Sequence, residues 1–178
     1  MARLVLLVAA ILGTCACSTL PLDTPEHVVR QALEAVVAHD LDDAAALTCG
    51  QRRNPGELPF PIPGLFEASS GLPGFDVRRR LGVTSLDAAG VVIEGVSSDA
   101  DSAIVHVSGT LVERFDPAAV ENLFRTYEVE GEVPHDQAVL DRVLARTRDP
   151  AHVTIDEDVR VLYEVRTWRV CPQPEVPA

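Results

Sequence analysis

The chain has 178 residues, 47% of them apolar and 24% charged, and a formal net charge of −12 at pH 7. That apolar content supports about one folded domain and excludes wholesale disorder. Every basic residue is Arg and none is Lys; this excludes a phosphate-binding P-loop and a Schiff-base amine, and the acidic balance argues against nucleic acid as a partner.

The first predicted element is an export signal over 1–17. Arg3 supplies a positive start, residues 4–12 form an apolar run, and Gly13, Thr14, Cys15, Ala16 and Cys17 are small. This is the layout of a signal peptide. The run is too short to cross a bilayer as a helix, which takes about 20 residues, and no later segment has a comparable run.

Residues 18–23 read as a tether. Thr24-Pro25 opens a helix, a capping residue followed by Pro at the first helical position. Val29, Leu33, Val36 and Val37 then mark one apolar face, ending near Ala38-His39. A second helix starts at Asp40 or Leu41, carries Asp42 and Asp43 in its first turn, and runs to Cys49 with Gly50 at its exit. Residues 54–74 alternate Pro and Gly with Leu58, Phe60, Ile62, Leu65 and Phe66. Such a segment is neither a helix nor a central strand, and its apolar groups predict a loop that covers core or gates a ligand. Arg78, Arg79 and Arg80 form the one basic cluster, read as a solvated charge run.

From Val91 the period changes to two. Residues 91–96 and 103–115 predict an antiparallel hairpin around the polar turn 97–102. Val105, Val107 and Leu111 fall on one face, Ile104, His106 and Val112 on the other, and Gly109 marks a bulge or bend. Helices follow from Asp116-Pro117 to about Tyr127 and over 136–146. Segments 152–155 and 159–171 return to strand character. The tail, 172–178, has three prolines and no reason to fold. The predicted organisation is therefore signal, tether, one α+β domain over 24–171, and a disordered tail.

The N-terminus resembles a bacterial lipoprotein signal, on Ala16-Cys17-Ser18. The resemblance implies lipidation of Cys17 and a mature protein that is exported, anchored to the cell membrane and extracytoplasmic. Cys15, with Leu12 three residues before it, is an alternative lipidation site, and ordinary cleavage near Ala16 without a lipid is another. In an exported chain the two remaining cysteines, Cys49 and Cys171, are expected to be bridged, two buried free thiols being the alternative. A bridge closing about 120 residues is worth about 4–5 kcal/mol in the chain-entropy model. Neither cysteine has a second ligand at zinc spacing.

The element order also resembles the nuclear-transport-factor-2-like fold in its bacterial lipoprotein versions. The matching residues are Pro25-Glu26, the segment 40–49, and the closing Trp168, Arg169, Val170 and Cys171. The resemblance implies a curved antiparallel sheet wrapped around N-terminal helices as a cone, with Cys49 and Cys171 tying the second helix to the last strand. The helical stretch 117–148 is longer than that family needs. Enzymes of the family use an Asp, His or Tyr in the cone as acid or base, which makes His106 and Tyr163 the candidates, each with a plain packing explanation. Asp99 with Asp101, and Asp156 with Asp158, read as turn acids because each pair lacks the remaining ligands of a calcium loop. No catalytic motif, metal site or cofactor is predicted. The expected function is a membrane-tethered binding or interaction module. A small enzyme with an acid/base residue in the cavity is the alternative, and a structural envelope subunit is a third.

Overall fold

The computed structural model describes residues 24–50, 57–72, 76–132 and 135–171. The predicted signal peptide, with Cys15 and Cys17, the tether and the 172–178 tail lie outside them. The chain is a mixed α+β protein. Its elements run α1 (Pro25–Val37), α2 (Leu41–Ala46), α3 (Val77–Leu81), β1 (Thr84–Ser98), β2 (Ser102–Phe115), α4 (Pro117–Glu130), α5 (Gln137–Arg146), β3 (Ala151–Glu164) and β4 (Thr167–Cys171). The four strands form an open antiparallel sheet in the order β1-β2-β3-β4. Among the described residues no helix is long and apolar enough to cross a membrane.

Each helix starts at a side-chain cap that satisfies backbone N–H groups otherwise left without partners. Thr24 Oγ1 accepts from the amide of His27, and Asp40, Asp76, Asp116 and Asp136 do the same for α2, α3, α4 and α5. Helix α4 closes on Gly131, whose φ of 74° is the left-handed geometry that glycine adopts without strain.

Helix α1 buries Val28, Val29, Ala32, Leu33 and Val36. Facing it, the sheet presents Ile93, Val105, Val107, Leu111, Ile155, Val159, Val161 and Val170 on one side, and all of these belong to one apolar cluster. A second cluster gathers Leu72, Val83, Phe115, Val120, Phe124, Leu140 and Val143 beneath the α4–α5 pair. The loop predicted to cover core does so: Phe60, Ile62 and Phe66 are 2%, 6% and 3% exposed and join the first cluster, and Leu72 joins the second. Burying each such side chain contributes roughly 1.5–3 kcal/mol.

Several sequence expectations are corrected. Strand β1 begins at Thr84 rather than at Val91, because a register shift between Asp87 and Gly90 breaks its alternation. Gly109 sits opposite, with φ 123°, and a Cβ there would collide with the Gly90 carbonyl. Asp156 and Asp158 are not in a turn. They lie in the middle of β3, which runs unbroken from Ala151 to Glu164, in register with Ser108 and His106. A two-residue turn at Val165 and Arg166, at φ 48° and 68°, then leads to β4. The basic cluster is not wholly solvated: Arg78 pairs with Asp42 at the surface, whereas Arg80, in α3, is 4% exposed.

Candidate functional site

Strand β2 carries Leu111, Glu113 and Phe115 inward at successive inner positions. Leu111 belongs to the first apolar cluster and Phe115 to the second, so Glu113 stands at their junction, 0% exposed. Its Oε2 accepts from the amide of Phe66 at 3.3 Å, and Oε1 is buried with no hydrogen-bond partner among the described residues. Burial pushes the Glu113 carboxyl up to about 7, against the opposing pull of the Phe66 amide and the Arg80 guanidinium.

Arg80 holds the same loop from another side. Its Nη1 donates to the Ser69 carbonyl at 2.6 Å and to Ser69 Oγ at 2.7 Å, and its Nη2 donates to the Leu72 carbonyl at 3.1 Å. Burial lowers the Arg80 pKa, while Tyr127 and Glu113 nearby act to raise it. Ser69, itself fully buried, donates its hydroxyl to the Phe66 carbonyl at 3.0 Å. On the outside, Arg146 of α5 donates from Nη2 to the Glu67 carbonyl at 2.6 Å and to Ser70 Oγ at 2.9 Å. Two arginines and one glutamate from three elements thus fix segment 66–72.

The adjoining stretch 63–68 walls a cleft of about 360 Å³, within the size range of small-ligand pockets. Pro63, Gly64 and Glu67 form one side, Arg146 another, and His152 and Val153 of β3 the third. A second groove, of about 470 Å³, lies between α1 and α2 and includes Glu34, Asp40 and Asp43; the Asp40 carboxylate there is already engaged as a helix cap.

The residues singled out in the sequence do not meet at one place. His106 lies on the outer face of the sheet, where Nδ1 is 2.9 Å from Asp158 Oδ1 and Nε2 is 3.3 Å from Asp156 Oδ1. Only an imidazolium donates at both nitrogens, so this arrangement suits a cross-strand ion pair. Tyr163 has inward parity but lies near the hairpin end of β3, 43% exposed, with its ring edge-on to Trp168 at 5.2 Å between centroids. Neither side chain enters the layer between α1 and the sheet.

Cys49 and Cys171 lie at disulfide distance with Cα atoms 5.2 Å apart, both 7% exposed. The pair joins the segment after α2 to β4, where Thr48 bridges Val170 in parallel. Glu164 brings a third ligand-type atom within 4.8 Å of the two sulfurs. With the sulfurs joined no thiolate is left, so the group is not a zinc site.

Sequence reasoning overlooked Glu113 and Arg80. The alternation that assigned Val105, Val107 and Leu111 to one face also puts Glu113 there, and a glutamate at an inward position is the signal that identifies it. Arg80 carried no comparable mark, being one of three consecutive arginines.

Compared with protein-family models, with curated proteins and with solved structures, the chain matches none.

Proposed function

We propose that the protein is an exported envelope lipoprotein, held at the membrane by a lipid on Cys17, whose α+β module binds a small molecule or an envelope protein without transforming it. The cleft beside segment 63–68 carries the binding half of this reading. Its loop wall is fixed in advance at Phe66 and Glu67 by Glu113 and Arg146, and a preformed wall loses little freedom when a ligand arrives. The cysteine pair supports export, since structural disulfides persist in oxidising compartments. The same pair, with the Thr48–Val170 bridge and α1 laid on one face of the sheet, supports reading the fold as a nuclear-transport-factor-2-like cone.

The test of anchoring is metabolic labelling with palmitate. Label should enter the expressed chain and be lost in Cys17→Ser. Persistence in that variant, with loss only in Cys15→Ser, moves the attachment site to Cys15, and no label in the unaltered chain overturns the anchor.

One observation favours an enzyme as the second reading. A buried carboxyl with a pKa near 7 suits general acid–base work at neutral pH. If the purified protein turns over a small substrate with a pH profile that Glu113→Gln abolishes, that reading replaces the first.

A further inference from the structure

We propose that the cleft between segment 63–68, α5 and β3 is a binding site for a small zwitterion of the amino-acid class, its carboxylate held by Arg146 and its ammonium by Glu67. The inference rests on the binding-module reading and names the ligand class for it.

The argument starts from what the cleft offers. Arg146 uses Nη2 to hold the Glu67 carbonyl and Ser70 Oγ. That contact fixes the guanidinium on the cleft wall, and its other donors have no partner among the described residues. The Glu67 carboxylate and the His152 imidazole likewise make no hydrogen bond or ion pair among the described residues, although both line the cleft. Groups of opposite sign therefore face one small volume without being neutralised by each other. A guanidinium recognises a carboxylate through paired N–H donors, and a carboxylate recognises an ammonium through charge-assisted bonds. His152 adds a neutral or cationic donor on the side of β3.

Charge then decides between ligand classes. The chain carries a formal net charge of −12, a field that opposes a simple anion approaching Arg146. Arg146 in turn opposes a simple cation approaching Glu67. A zwitterion has no net charge and satisfies both groups at once. The volume of about 360 Å³ admits a small amino acid with room to spare, and Gly64 and Val153 line its apolar side. A Cβ at Gly64 would reach within 3.8 Å of Val153 Cγ1 and 3.9 Å of Glu67 Oε2, so even a methyl group there would occupy space beside the carboxylate.

The experiment titrates the full chain, in detergent micelles, with glycine, L-alanine, L-serine, acetate and methylammonium, following backbone amide NMR signals. At least one amino acid should give saturable shifts at Gly64, Glu67 and Thr154, with acetate and methylammonium each weaker by about tenfold or more, the loss expected for one missing charge-assisted partner. Glu67→Gln should weaken the amino acid by a similar factor and leave acetate unchanged. Glu67 and His152 are exposed, so Glu67→Gln and His152→Ala should keep the spectrum of the folded chain, and His152→Ala serves as a second probe of the same cleft. No saturable shift with any amino acid at tens of millimolar, acetate binding as tightly as the amino acids, or indifference to both substitutions overturns the proposal. Conversion of a bound amino acid into product would overturn binding without turnover and leave the ligand class standing. Absence of palmitate label would overturn the anchor and leave this site untouched.

Discussion

The amide of Phe66 donates to Glu113 Oε2 at 3.3 Å, while Glu113 Oε1, a few bonds away, is buried without a partner among the described residues. A carboxyl placed this way is half satisfied when ionised, and burial makes the charge costly. The folded pKa is about 7, against roughly 4.3 for an unfolded glutamate. Between those values the folded chain holds a proton that the unfolded chain has released. The group's contribution is therefore fully present below the unfolded value and is lost as pH rises through the folded one. The loss is on the order of 3 kcal/mol. Urea unfolding of the wild type should show stability falling from pH 5 to pH 8 more steeply than in Glu113→Gln, which keeps an acceptor for Phe66. Parallel profiles in the two proteins would contradict the assignment.

The three consecutive arginines should separate sharply under substitution. Arg80 is buried and donates to two loop carbonyls and one hydroxyl. Arg80→Met leaves those buried acceptors without their donor, and should cost about 3 kcal/mol. Arg78 makes an exposed pair with Asp42, and Arg78→Ala should cost about 0–1 kcal/mol. Thermal unfolding of the two variants decides this, and equal shifts would refute the burial argument.

Val165 and Arg166 occupy a two-residue hairpin turn with positive φ at both positions. Neither residue suits that geometry, and a β-branched side chain suits it least. Val165 is 96% exposed, so little packing is lost on changing it. The double substitution Val165→Asn, Arg166→Gly should stabilise the protein by about 0.5–2 kcal/mol. A fall in melting temperature would show that the turn is not of this type.

The purified protein should show no free thiol at Cys49 or Cys171 until reduced. Removing both, as Cys49→Ala with Cys171→Ala, should cost about 2–5 kcal/mol. Titration of both thiols without reductant would overturn the bridge.

What the sequence made legible follows from how strongly each segment's pattern is written. The α1, α4 and α5 starts were readable because Thr24-Pro25, Asp116-Pro117 and Asp136 are caps with a mechanism. Strand β2 was readable because its inner face is buried from Ala103 to Phe115. Helix α3 has five residues, too few to show a period, and its position is set by the contacts of Arg80. The first half of β1 was missed because the irregularity at Asp87 to Gly90 resets its parity. The centre of β3 reads as a turn because its outward residues, Asp156 and Asp158, face an open side of the sheet and pair with His106. His106 and Tyr163 were singled out by residue type, whereas the buried ionisable groups, Glu113 and Arg80, are identified by position.

The link between Cys49 and Cys171 spans 122 positions of sequence. Everything from α3 to β4 therefore belongs to a single covalent ring, with α1 and α2 attached outside it. One backbone cut within that ring opens the circle without releasing a fragment. Partial proteolysis inside 50–170 should thus leave a single band on a non-reducing gel and two on a reducing one. A nicked molecule would keep α1 and the whole sheet connected through the Cys49–Cys171 link.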